Sequence, residues 1–243
     1  MNIFRQLFRG IFHSSARSDQ DNSVSRKKLP DGIDWHCHIL PGVDDGFQEL
    51  DKSLKMLATY EERGLEEVWF TPHIMEDVPN STSHLREVFA TLENAYQQDF
   101  KRRNPADNKK MLKLHLASEN MLDALFEERL NKNDLLPLGN EGSHLLVETS
   151  IFFAPMDYRS LLERIRNKGY TPVLAHPERY LYMRKSDYEV LRAQGIKFQL
   201  NLFSLKGQYG DKVKKRAKWL QARGMYDFVG TDLHRPGVFL RYW

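Results

Sequence analysis

From residue 33 onward, seven short β-rich runs alternate with amphipathic helical stretches, and this alternation constrains the fold more than any other feature of the chain. The runs are IDWHCHI, EVWFTPH, KLHLASEN, HLLVETS, TPVLAHP, KFQLNLF and YDFVGTDLH. Helices are predicted over 49–63, 83–101, 157–168, 186–194 and 211–223. Four of them end at Gly64, Gly169, Gly195 and Gly224, where glycine supplies a left-handed cap just before the next strand. Ser186 with Glu189 reads as a capping box, and 121–144 fits helix or loop equally well. Such alternation predicts βαβ units around a parallel sheet, either open or closed into a barrel. With 41% hydrophobic residues, the 243-residue chain has enough apolar material for one large α/β domain, placed over 30–243.

The net charge of +3 is unevenly spread. Residues 1–29 hold six basic residues (Arg5, Arg9, Arg17, Arg26, Lys27, Lys28) against Asp19 and Asp21, so the remainder is slightly acidic. A basic excess on a tail rather than on a fold does not point to a nucleic-acid surface. Within that tail Ile3, Phe4, Leu7, Phe8, Ile11 and Phe12 recur at helical spacing around two arginines, and HSSARSDQDNSVSRKK follows as a linker. The stretch reads either as an extension without fixed structure or as an anchor lying on an anionic membrane or a partner. Arginine breaks up its apolar residues too much for a secretory signal, and no run approaches the roughly 18 apolar residues of a spanning helix. The single cysteine, Cys37, excludes an internal disulfide framework and a CxxC zinc site. A cytoplasmic location is expected, with peripheral contact at the inner membrane face through the tail.

Ligand-type residues gather at the ends of the predicted strands. The first ends in His36 and His38, the second in His73, the third in Glu119, the fourth in Glu148, the fifth in His176, the seventh in Asp232 and His234. In a parallel barrel these ends share one rim, where such folds carry their sites. Asp45 from the first loop brings the number of imidazoles and carboxylates to nine, more than one ion can use. Residues two apart on a strand share a face, so His36 and His38 point together while Cys37 faces the helix layer. A cysteine phosphatase would want an arginine six residues past its nucleophile, and that position is Val43. His13, His84, His115 and His144 fall in the tail, on a helix, below the rim or at a strand start, and are left out.

The ordered set DWHCHILPGVDDG, TPH, SEN, ETS, LAHPER and GTDLH resembles the PHP (polymerase and histidinol phosphatase) superfamily, over residues 33 to about 236. Within it the chain is most similar to manganese-dependent protein-tyrosine phosphatases of bacterial capsule and exopolysaccharide loci. The resemblance implies a distorted, TIM-like (β/α)7 barrel with three divalent ions at the C-terminal rim of the strands. It places one ion on His36, His38, Glu119 and Asp232, a second on Glu119, Glu148 and His176, and a third on Asp45, His73 and His234. It implies Mn²⁺, while the all-N/O donor set also suits Zn²⁺, Fe or Mg²⁺. The implied reaction is phosphotyrosine hydrolysis by metal-activated hydroxide, on a bacterial tyrosine kinase of polysaccharide synthesis. Arg179 resembles the family's phosphate-contacting arginine, with Arg235 as a second substrate-binding candidate. The alternatives are a phosphoesterase for a small ester such as histidinol phosphate, and a metal-binding regulator without turnover. After DLH only RPGVFLRYW follows, where the family continues into a closing helix.

Overall fold

The computed structural model describes residues 29–106, 109–153 and 155–243. The amphipathic stretch and linker therefore lie outside the described residues, except Leu29, which is buried in the core. Strand β1 (Ile33–Cys37) is followed by α1 (Leu50–Glu62), β2 (Glu67–Phe70), β3 (His73–Ile74), α2 (Thr82–Arg103), β4 (Lys113–Leu116) and β5 (Glu119–Met121). Then come α3 (Ala124–Lys132), β6 (His144–Glu148), α4 (Tyr158–Asn167), β7 (Thr171–Ala175), α5 (Lys185–Ala193), β8 (Lys197–Asn201), α6 (Asp211–Ala222), β9 (Phe228–Gly230) and α7 (Pro236–Tyr242).

Every ladder is parallel, in the orders β1–β2–β4 and β3–β5–β6–β7–β8–β9. Only Thr71 and Pro72 separate β2 from β3, and only Ala117 and Ser118 separate β4 from β5. The sheet curls so that the end of β1 meets the chain beyond β9: Asp232 N donates to His36 O at 2.7 Å and His38 N to Leu233 O at 3.1 Å. Helices cover the outside because their buried residues recur at i, i+3, i+4 and i+7. In α1 these are Ser53, Met56, Leu57 and Tyr60, and in α4 they are Tyr158, Leu161, Leu162 and Ile165. The four glycines expected as caps all have positive φ.

Three local expectations change. The capping box falls two residues earlier than Ser186 and Glu189: Arg184 N donates to Asp187 Oδ2 at 2.8 Å, leaving Ser186 inside α5. The ambiguous stretch 121–144 contains α3, started by Asp123, whose carboxylate accepts from Phe126 N at 2.9 Å. After DLH the chain forms the short α7, and its buried Phe239 packs on Tyr60 with ring centroids 5.1 Å apart.

Strict alternation also fails in β1. The register slips between Asp34 and Cys37, so this strand carries one residue more than β2 at that point. Asp34 and Cys37 consequently face the helices, while Trp35 turns inward to stack on Trp69 at 5.6 Å without displacing His36. Strand β9 lies so close to β1 that a Cβ on Gly230 would sit 2.5 Å from His36 Cβ and 2.7 Å from His36 N. Gly230→Ala is therefore expected to destabilise the fold by about 1–3 kcal/mol or more, as overpacking does, which chemical denaturation would measure.

Candidate metal centre

The candidate ligands stand near the carboxyl ends of β1, β6, β7 and β9, at the breaks between β2 and β3 and between β4 and β5, and on the loop after β1, and the curl of the sheet makes these places converge. His36 lies in β1 with His38 one residue past it, His73 opens β3, Glu119 opens β5, Glu148 closes β6, and His176 follows β7. Asp232 and His234 follow β9, and Asp45 lies on the loop after β1. All are buried or half-buried except Asp45, whose side chain is 75% exposed.

The innermost group is His36, His38, Glu119 and Asp232. Its Nε2 atoms are 3.0 Å apart, each 3.3 Å from Glu119 Oε2 and 3.5 Å from Asp232 Oδ1. Donor atoms bound about 2.1 Å from one ion lie roughly 3.0–3.5 Å apart, the edges of an octahedron or tetrahedron. The proton positions agree with such a use. Gln199 Nε2 donates to Leu200 O while its Oε1 accepts from His176 N, so the 2.9 Å contact to Oε1 makes His36 Nδ1 a donor. His38 Nδ1 donates to Asp44 Oδ2 at 2.8 Å. Two neutral rings held this way turn their Nε2 lone pairs on one another, which only positive charge between them relieves. The carboxylates call for the same charge: burial alone would lower His36, but Glu119 and Asp232 outweigh it and push the ring up to about 9. A divalent cation fits this donor set.

Two further groups adjoin it. His176 Nε2 lies 3.0 Å from Glu119 Oε1 and 3.6 Å from Glu148 Oε2. Asp45 Oδ1 lies 3.3 Å from His234 Nε2 and 3.6 Å from His73 Nε2, with His38 in the same group. His73 joins both regions, since its Nδ1 is 3.1 Å from Glu119 Oε2 and from Glu148 Oε1. Those two carboxylate oxygens, with His73 Nδ1 and His176 Nδ1, are buried without a well-formed hydrogen bond. Unsatisfied buried acceptors beside imidazoles are what further cations would engage.

Arg179 approaches from the turn after β7, its Nη1 donating to Asp232 Oδ2 at 3.0 Å, whereas Arg235 is exposed at the start of α7. Cys37 is fully buried on the opposite face, its Sγ 3.5 Å from Trp69 O. His84 lies on α2, His115 stacks on Trp69 at 4.4 Å, and His144 contacts Ser143. All three stand apart from the cluster, and His13 lies outside the described residues.

Several orienting groups escaped the sequence reading. Asp44, not only Asp45, serves the site: besides His38 it accepts from His73 N at 3.1 Å and Gly46 N at 2.9 Å. Gln199 and Asn201 come from KFQLNLF, the one run for which no ligand was expected; Asn201 Nδ2 donates to Asp232 Oδ2 at 2.8 Å. The signal was present, because two amide side chains at i and i+2 inside an otherwise apolar run share one face.

The fold and cluster together define a parallel α/β protein with a converging set of N/O donors that could hold cations. Residues 32–238 match the family described as capsular polysaccharide synthesis, CpsB/CapC, and the chain belongs to that family. It is 30% identical over 211 residues to tyrosine-protein phosphatase YwqE of Bacillus subtilis, covering 83% of this chain and 77% of that one. It is also 30% identical over 217 residues to tyrosine-protein phosphatase CpsB of Streptococcus pneumoniae, covering 83% and 82%. One solved structure similar to it comes from work on YwqE and CpsB, described as unique metal-dependent tyrosine phosphatases. The match has a TM-score of 0.71 and 28% identity, and covers 85% of this chain and 81% of that one.

If Asp44 orients His38 and anchors the β3 end, Asp44→Ala should weaken divalent-ion affinity about 10- to 100-fold. Titration with Mn²⁺ followed by calorimetry would measure this, and unchanged affinity would count against that role.

Proposed function

We propose that this chain is a metal-dependent protein-tyrosine phosphatase of capsular or exopolysaccharide synthesis, whose substrate is a phosphotyrosine protein, a bacterial tyrosine kinase of that system. The observation that carries the reading is the buried set His36, His38, Glu119 and Asp232, closed at coordination-edge distances in a family whose named relatives are tyrosine phosphatases. The finer reading is three ions, preferably Mn²⁺: one on His36, His38, Glu119 and Asp232, one on Glu119, Glu148 and His176, one on Asp45, His73 and His234. Nine N/O donors and no thiolate support it. Treating β2 with β3 and β4 with β5 as interrupted single strands leaves seven, and the Cys37–Leu233 bridge supports closing them into a distorted (β/α)7 barrel.

When bound, the ions would supply Lewis-acid chemistry, activating a water near neutral pH and neutralising phosphoryl oxygens. The chain's own residues do the rest. Arg179, charged and next to Asp232, offers its remaining N–H groups to the phosphoryl oxygens. Asp44 and Gln199 hold the protons of His38 and His36 on Nδ1, keeping Nε2 free to ligate. Arg235 at the start of α7 would meet the polypeptide around the phosphotyrosine. Tyrosinate, with a solution pKa of about 10, leaves without a strong general acid. Cys37 takes no part, since it faces the helix layer.

Chelation should abolish hydrolysis of a phosphotyrosine peptide, Mn²⁺ should restore it, and elemental analysis should find more than one ion per chain. Cys37→Ser should retain most of the turnover. Activity that survives chelation, or turnover of histidinol phosphate in preference to the peptide, would overturn the proposal.

Residues 1–29 are proposed as an appendage to a catalytic domain spanning 30–243, a division supported by the start of the family match at residue 32. At roughly 1 kcal/mol per basic residue near an anionic surface, this segment would bring a cytoplasmic enzyme weakly to the inner membrane face. Deleting residues 1–28, which spares the buried Leu29, should leave turnover of a soluble phosphopeptide nearly unchanged and reduce co-sedimentation with anionic vesicles. Equal vesicle binding with and without the segment would sink the anchor.

A further inference from the structure

Asp232 divides its two oxygens between different tasks. Oδ1 faces His36 and His38, each at 3.5 Å, whereas Oδ2 accepts from Arg179 Nη1 at 3.0 Å, Asn201 Nδ2 at 2.8 Å and the Tyr209 hydroxyl at 3.3 Å. Tyr209 lies in the turn GQYG before α6, which closes through Gly210 N donating to Gly207 O at 3.1 Å. Asn201 Nδ2 donates to the tyrosine hydroxyl as well, at 3.1 Å, so the end of β8 fixes the position of the ring. The Arg179 guanidinium carbon lies 4.6 Å from the centre of that ring. Among the described residues Asp232 is the only hydrogen-bond partner of the Arg179 guanidinium, and the side chain remains 22% exposed.

We propose that Tyr209 is a positioning residue: it holds the Arg179 guanidinium by its face, beside the metal ligand Asp232, so that the unused N–H edge is presented to the phosphoryl group. The inference rests on the phosphatase reading given above. Arginine binds phosphate best through a planar fork, and the orientation of that fork matters as much as its charge. An ion pair through one nitrogen leaves the plane free to rotate. A ring packed against its face removes that freedom and adds a cation–π attraction without occupying any donor. The arrangement also couples phosphate binding to the metal site, since the same carboxylate touches both.

The test compares Tyr209→Leu and Tyr209→Phe in the full-length, Mn²⁺-loaded protein. Tyr209→Leu removes the ring, and KM for a phosphotyrosine peptide should rise about fivefold or more, with a parallel weakening of competitive inhibition by inorganic phosphate. Its metal content should be unchanged and its kcat less affected than its KM. Phenylglyoxal modification of Arg179, followed by peptide mass, should accelerate several-fold in the leucine variant because the face of the guanidinium is uncovered. Tyr209→Phe keeps the ring, so it should retain slow modification and show a KM effect below threefold, with loss of the hydroxyl registering in kcat through Asp232. The proposal is overturned if the leucine variant matches wild type in KM and modification rate, or if it loses metal and kcat at constant KM. Wild-type protein inactive on phosphotyrosine would defeat the phosphatase reading alone, because phosphate binding by calorimetry and the modification rates still decide the role of Tyr209.

Discussion

The buried carboxylate of Asp34 is the constraint on which the rest depends. It accepts from Thr231 N at 2.8 Å, Thr231 Oγ1 at 2.7 Å, the Tyr60 hydroxyl at 2.7 Å and, more weakly, His36 N at 3.3 Å. Thr231 immediately precedes Asp232, so one side chain ties the first strand to the last and sets the spacing between His36 and Asp232. Burial pushes the Asp34 carboxyl up, and hydrogen bonds from Thr231 and Tyr60 draw it back. Removing one of these donors leaves part of a buried acceptor unsatisfied, at a penalty of about 1–3 kcal/mol. The latch reaches outward too, because Tyr60 carries α1 and packs on Phe239 of α7. The closing helix thus supports the candidate ligands at one remove, through Tyr60 and Asp34.

With the strand ends pinned, the cluster needs little else to form. Parallel strands bring the same end of every element to one side, and curling turns a row of residues into a ring. What remains is orientation, and it comes from polar side chains outside the nine candidate ligands. Gln199 serves two neighbours through one oxygen, His36 Nδ1 and His176 N, and Asp44 likewise serves His38 and the His73 backbone. Each links candidate ligands from different strands, so the donor atoms are set by shared anchors rather than by independent rotamers.

Periodicity made the strands and most helices legible, because each βα unit repeats the same signals: an apolar run, an amphipathic stretch, a glycine. The nine candidate ligands were legible for the same reason, since strand ends are marked by where those runs stop. Contacts between distant residues were not. Nothing local distinguishes Asp34 from other aspartates, as its partners lie 26 and 197 positions away. The bulge in β1 was equally hidden, because alternation assumes a period of two and a slipped residue breaks it without leaving a composition mark. The capping box moved to Arg184 and Asp187 because an arginine at the N-cap carries no propensity signal, although its backbone N–H can be capped by any acid three residues on.

Two ligand candidates show why the site's last details lie beyond pattern reading. His176 and Asp232 both adopt left-handed backbone, with φ of 32° and 52°, a region that disfavours side chains other than those of glycine, asparagine and aspartate. Each is held there by its own amide: His176 N donates to Gln199 Oε1 at 3.2 Å and Asp232 N to His36 O at 2.7 Å. The unusual conformation ends the strand at once and turns the following residues over the rim. After His176 this delivers Arg179; after Asp232 it lets Leu233 pair with Cys37 and sends His234 back to Asp45. Left-handed backbone at these two positions thereby brings one cationic side chain and one further imidazole to the cluster, which regular continuation of either strand would have carried past the rim.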